Sequence, residues 1–242
     1  DAAAALLENG YIAGRPGNIF APKDNLTRGE MSKLLDNITG ELKNKEGTYT
    51  GEIDSNLVIS APSIVLKDMV IDGDLYLAEG IGEGEVVLDN VTVNGRTVVR
   101  GGGENSIIIN NSSLKGTLLV IKKDGKVKIV AKGSTEVASV SLNSGAKLLE
   151  EDLTGKGFEE VEIIEIAEEG NIVLEGDFES LTIAAPNVSV DITGGNIENL
   201  NIDEKAKNSI VNVDEKSKVG TLTIDADVKI KGKGKIETAN IN

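Results

Sequence analysis

The residues in this chain best suited to chemistry are acids. Asp68, Asp72, Asp74 and Asp89, with the run Glu150-Glu151-Asp152, have the side chains for general acid–base cleavage of a glycan. Asp72 and Asp74 flank Gly73 at a strand turn. A cleaving site of that kind also needs cations beside the acids, and usually aromatic sugar platforms. The chain has four Arg (Arg15, Arg28, Arg96 and Arg100) and 2% aromatic residues. Solvated turn carboxylates are the simpler reading, so no catalytic residue is named and no enzyme activity is expected.

With no Cys and no His, disulfides, Cys/His zinc sites, thiol nucleophiles and His-based triads are excluded. Gly101-Gly102-Gly103 and the spaced Gly80, Gly82 and Gly84 precede neither a Gly-Lys-Ser/Thr element nor a helix. They read as turns between strands, not phosphate loops. No calcium-loop pattern occurs, so no metal ligand and no cofactor is expected.

Forty acidic against 25 basic side chains leave a net charge of −15, which nucleic-acid phosphates would repel. No apolar run reaches the roughly 18 residues of a membrane span, and no membrane insertion is expected. The chain opens at Asp1 in a helical pattern without an initiator Met, which suggests a piece of something longer.

Two kinds of element must position these residues. Over 1–43, Ala2 to Leu7 favours a helix stopped at Asn9-Gly10, and Tyr11 to Pro22 reads as a loop. Thr27-Arg28-Gly29-Glu30 is a capping box that starts a second helix carrying Met31, Leu34, Leu35 and Ile38 and ending at Gly40.

Over 44–242 short alternating segments recur. Phe178-Glu-Ser-Leu181-Thr-Ile183 returns as Ile197-Glu-Asn-Leu200-Asn-Ile202 and as Val219-Gly-Thr-Leu222-Thr-Ile224. The last apolar position of each copy is Ile59, Leu77, Val99, Val120, Leu142, Ile163, Ile183, Ile202, Ile224 and Ile241. A second register, Leu66 to Gly73, recurs as Leu88 to Gly95 and Ile109 to Gly116. A unit of about 20 residues cannot bury its own apolar face and must stack on its neighbours.

The expected fold is a right-handed parallel β-helix of about ten rungs, projecting about 48 Å, with Leu77 to Ile241 as a core column. Narrow interior columns of Val, Ile and Leu account for the scarcity of aromatics. Phe158 and Phe178, on successive rungs, are expected to stack. A leucine-rich repeat lacks its fixed pattern here, and intervals of 17 to 22 residues do not fit a hexapeptide helix.

Charge is shared unevenly. Lys122, Lys123, Lys126, Lys128 and Lys132 lie one period before Glu150 to Asp152, which predicts cross-rung pairs. Lys229, Lys231, Lys233 and Lys235 alternate near the end of the chain and blunt a sheet edge, or mark self-association through solenoid ends.

The stretch Ala2 to Leu42 resembles most of an S-layer homology (SLH) module. The residues that carry the resemblance are Ala5-Leu6-Leu7, Gly10-Tyr11-Ile12, Gly14 to Pro22 and Leu26-Thr27-Arg28-Gly29-Glu30. The body is similar to the β-helical region that follows such modules in surface proteins of Gram-positive bacteria. The resemblance implies the last module of a tandem set, an extracellular place in the cell wall or S-layer, and secondary cell-wall polysaccharide as partner. Arg28 is the implied glycan-binding residue, its guanidinium suited to a carboxylate-bearing sugar, and Gly14 shapes the pocket loop. The function expected is a non-catalytic structural stalk. The alternatives are a polysaccharide-binding or polysaccharide-cleaving β-helix and a filament or lattice subunit.

Overall fold

The computed structural model describes residues 25–104, 107–164 and 171–242. The expected first helix and the loop Tyr11 to Pro22, with Gly14, lie outside these. Among the described residues there is one α-helix, Arg28–Thr39, followed by 21 short strands and a single 3-10 turn at Glu79–Ile81. Every strand pairs in parallel with a strand one period away, which makes a β-solenoid. The third strand of each rung shows the stacking best. Ile59 pairs with Leu77, Leu77 with Val99, Val99 with Val120 and Val120 with Leu142. The column continues through Ile163, Ile183, Ile202, Ile224 and Ile241.

Strand alternation decides which side chains fill the interior. In Leu57–Ile59 and Leu75–Leu77 the outer two residues point inward and the middle one outward. From Leu77 to Ile183 this column is fully buried. Each such Leu or Ile contributes about 1.5–3 kcal/mol of apolar burial. Phe158 and Phe178 stack with ring centroids 6.3 Å apart and planes 13° from parallel.

The ten recurring strands from Ile59 to Ile241 enclose about nine turns, in keeping with the expected count of about ten rungs. The ladder begins at Glu41–Lys43, which pairs with Leu57–Ile59. One expectation needs correction. Ile241 is 75% exposed and Ile224 half-buried, so the column loses its core character at its end. No described strand stacks beyond Ile241, and a column position is covered only by rungs on both sides.

The corners explain the second register. Asp68, Asn90, Asn111 and Asp152 all take positive φ, between 48° and 57°, at equivalent turns, a conformation that Asn and Asp tolerate best among residues with a Cβ. Gly73, Gly95 and Gly116 stack at the next corner. A Cβ on Gly95 would meet the Gly73 carbonyl oxygen at 2.5 Å, and one on Gly116 would strike that of Gly95. Buried hydroxyls bridge rungs where the ladder lapses. Ser112 Oγ accepts from Val91 N–H at 2.9 Å, and Thr135 Oγ1 accepts from Ser112 N–H at 3.3 Å while donating to the Lys132 carbonyl.

Candidate functional site

The helix Arg28–Thr39 begins as its sequence dictates. Thr27 Oγ1 accepts from the Glu30 N–H at 3.2 Å, and Glu30 Oε2 accepts from the Thr27 N–H at 2.8 Å. This reciprocal cap fixes where the helix starts and leaves Arg28, its first residue, exposed. Leu26, Met31, Leu35 and Ile38 are exposed as well. At the other end Gly40 takes φ +67°, where any Cβ would strike the Asn56 carbonyl. Asn56 joins helix to solenoid: its Nδ2 donates to the Ile38 carbonyl, and its Oδ1 accepts from Asp74 N–H, both at 2.9 Å. The helix is therefore hydrogen-bonded directly to the first rungs.

The candidate catalytic acids are spread along the ladder and occupied by it. Asp68 accepts from Asn90 at 2.7 Å, Asp72 from Asn94 at 2.7 Å and Asp89 from Asn110 at 2.8 Å. Each bond joins one rung to the next. Asp74 receives the Arg96 backbone N–H, two guanidinium nitrogens and the Tyr76 hydroxyl. Partial burial alone would raise its carboxyl, but these donors hold it below the usual Asp range. Among the described residues no three acids converge where a metal ion could sit.

Within the acidic run the three residues part company. Glu151 pairs with Lys132 at 2.5 Å, one of the expected cross-rung pairs, and that ammonium holds its carboxyl low. Asp152 forms a turn. Glu150, read as a solvated turn carboxylate, is instead half-buried and accepts two backbone N–H groups. Lys122 does not reach this run. Its ammonium, 8% exposed, donates to Glu83 and to the Gly102 carbonyl, both at 2.6 Å, tying successive corners.

Sequence reasoning missed a groove of about 600 Å³ on the outer surface of the later rungs. Glu159, Glu179 and Glu198 line it in successive rungs, with Lys156 and Lys218 beside them. Lys156 pairs with Glu159 at 2.8 Å and Lys218 with Glu237 at 3.0 Å. The groove forms where two consecutive residues, such as Glu159 and Glu160, separate the inward Phe158 and Val161, so the strand bends around it. The repeated Phe-Glu-Glu-Val and Phe-Glu-Ser-Leu strings carry that signal.

Among the described residues no helix is long and apolar enough to cross a membrane. Searches of curated proteins and of solved structures gave no match. Residues 1–32 match the S-layer homology domain, a stretch that ends inside the capped helix. Domains of this family bind cell-wall polysaccharide and associate with the cell surface or S-layer. The chain thus matches the S-layer homology domain over residues 1–32, and a parallel β-solenoid follows that stretch.

Proposed function

We propose that this protein is a non-catalytic structural element of the bacterial cell surface: a rigid, acidic stalk held to secondary cell-wall polysaccharide through SLH modules, in a Gram-positive-type wall. The observation that carries this reading is the direct passage from the SLH match into a parallel ladder. Paired backbone groups along the ladder give stiffness and resistance to proteases. Nine turns at about 4.8 Å each project about 43 Å. The absence of catalytic activity is supported by the Asp68, Asp72, Asp74 and Asp89 carboxylates, each of which is engaged between rungs.

The test is retention of the full-length protein on wall fragments that carry the polysaccharide, compared with fragments stripped of it. Retention on the first alone is expected, with loss of binding in Arg28→Ala. Unchanged retention by Arg28→Ala removes Arg28 from the glycan contact, and equal retention on both fragments overturns the anchoring reading.

The groove favours a second reading, in which the solenoid itself holds a glycan strand along Glu159, Glu179 and Glu198. Incubation with acidic and neutral polysaccharides, scored for binding and for new reducing or unsaturated ends, separates the two. Chain cleavage would displace the stalk reading.

A further inference from the structure

The inward columns of this solenoid must be apolar, but one outward column is apolar without that necessity. Val65, Val87, Ile108, Val130 and Leu149 are neighbours in successive rungs. Each lies between inward residues, such as Ile64 and Leu66 around Val65, and so faces outward. Four are part-exposed, and Val130, although 5% exposed, is not part of the interior core. The column is bounded by Thr48 at one end and Glu175 at the other.

Charged columns flank it. On one side run Lys67, Asp89, Asn110 and Lys132, followed by Glu151, which Lys132 contacts. On the other stand Glu85 and Lys128. Each precedes by one residue a member of the paired series Val86, Ile107 and Ile129, so they lie two rungs apart in one column.

Reversing the order of these five rungs gives the complement of the face. Lys67 exchanges with Glu151, Asp89 with Lys132 and Glu85 with Lys128; Val87 exchanges with Val130, and Ile108 with itself. We propose that two copies of this chain pair face to face through this apolar column, about a two-fold axis that passes Ile108 parallel to the strands. The partners then run in opposite directions and every charge named here meets its opposite. A two-fold along the solenoid axis would instead set Asp89 against Glu85 and Lys132 against Lys128.

Three columns five rungs deep span about 13 by 19 Å. With side chains this is on the order of 500 Å² per partner, below the roughly 800 Å² of a standard stable interface. The dimer is accordingly weak and salt-sensitive.

Sedimentation velocity across the micromolar to millimolar range, at low and high salt, tests the pairing. The wild-type chain is expected to shift from monomer to dimer with concentration, and salt to reverse the shift. Ile108→Glu, which sets like charges together at the axis, is expected to stay monomeric. Glu85→Lys and Lys128→Glu are each expected to weaken association about ten-fold or more, and the double exchange to restore it. All three positions face outward, and circular dichroism checks that each variant is folded. A wild-type monomer at every concentration overturns the proposal. So does association that survives Ile108→Glu, or that the double exchange fails to rescue.

Discussion

Glu150 stands directly over Ala131, in a column that runs through Leu66, Leu88 and Ile109. A carboxylate thus occupies an aliphatic position in the stack. Its Oε1 accepts from Phe158 N–H at 2.9 Å and its Oε2 from Asp177 N–H at 2.7 Å, so one side chain ties together the next strand of its own rung and the rung that follows. Gly157 and Gly176 lie against it, where a Cβ on either would collide with the carboxylate. This residue ends the apolar column and turns the chain at the same place.

Burial pushes the Glu150 carboxyl above the usual Glu range; the two N–H donors oppose the shift, and the Asp177 charge adds to it. A folded-state value raised above the unfolded one stabilises the fold below the unfolded pKa, near 4.3, and that contribution is lost as pH rises through the folded value. Thermal melts of Glu150→Gln are expected to show a flatter pH dependence above about pH 4.3 than the wild type. Glu150→Ala, which leaves two N–H groups without an acceptor, is expected to cost about 1–3 kcal/mol for each. Wild-type and Glu150→Gln curves that run parallel across this window would falsify the assignment.

Asp74 has the opposite sign. Its folded-state carboxyl lies below the usual range, so its contribution is present above the unfolded pKa, near 3.9, and is lost as pH falls through the folded value. Asp74→Asn is expected to lower the melting temperature at neutral pH and to match the wild type once both are acidified below that value. A deficit that persists in strong acid would show that the side chain acts through shape and not charge.

Thr97 interrupts an aliphatic column between Leu75 and Leu118. It is 1% exposed, and its hydroxyl oxygen has no hydrogen-bond partner. Replacing that hydroxyl with a methyl group removes an unmet polar group at nearly constant volume. Thr97→Val is expected to stabilise the fold by about 1–2 kcal/mol in urea unfolding. A lower denaturation midpoint in the variant contradicts this.

Gly95 sits between Gly73 and Gly116 in the stacked corner. A Cβ there would approach the Gly73 carbonyl carbon to 2.6 Å and its oxygen to 2.5 Å, and backbone cannot swing aside as a side-chain tip can. Gly95→Ala is therefore expected to cost about 1–3 kcal/mol through overpacking, while Gly29→Ala, at a helix position with open space around it, costs nothing from contact. Equal unfolding midpoints for the two variants would remove the corner argument.

The recurring apolar positions were legible in the linear order because a parallel stack imposes one demand at every rung: the inward residue must match the one below. Ile163, Ile183 and Ile202 satisfy it in register, and Phe158 over Phe178 obeys the same rule. The capping box was equally legible, since its partners are three residues apart and need no tertiary contact. The match to the S-layer homology domain likewise rests on local order along 1–32.

What lies across rungs was decided by the tertiary structure. Intervals between copies range from 17 to 22 residues, so alignment by period alone places a side chain only to within a residue or two, enough to turn an inward position outward. That is why Glu150 read as a surface acid while the ladder drew it inward, and why Asp68 and Asn90, 22 residues apart, met only once the corners stacked. Ile241 fits the repeat as well as Ile183, yet burial depends on neighbours above and below, and a repeated string carries no information about which of its copies is covered.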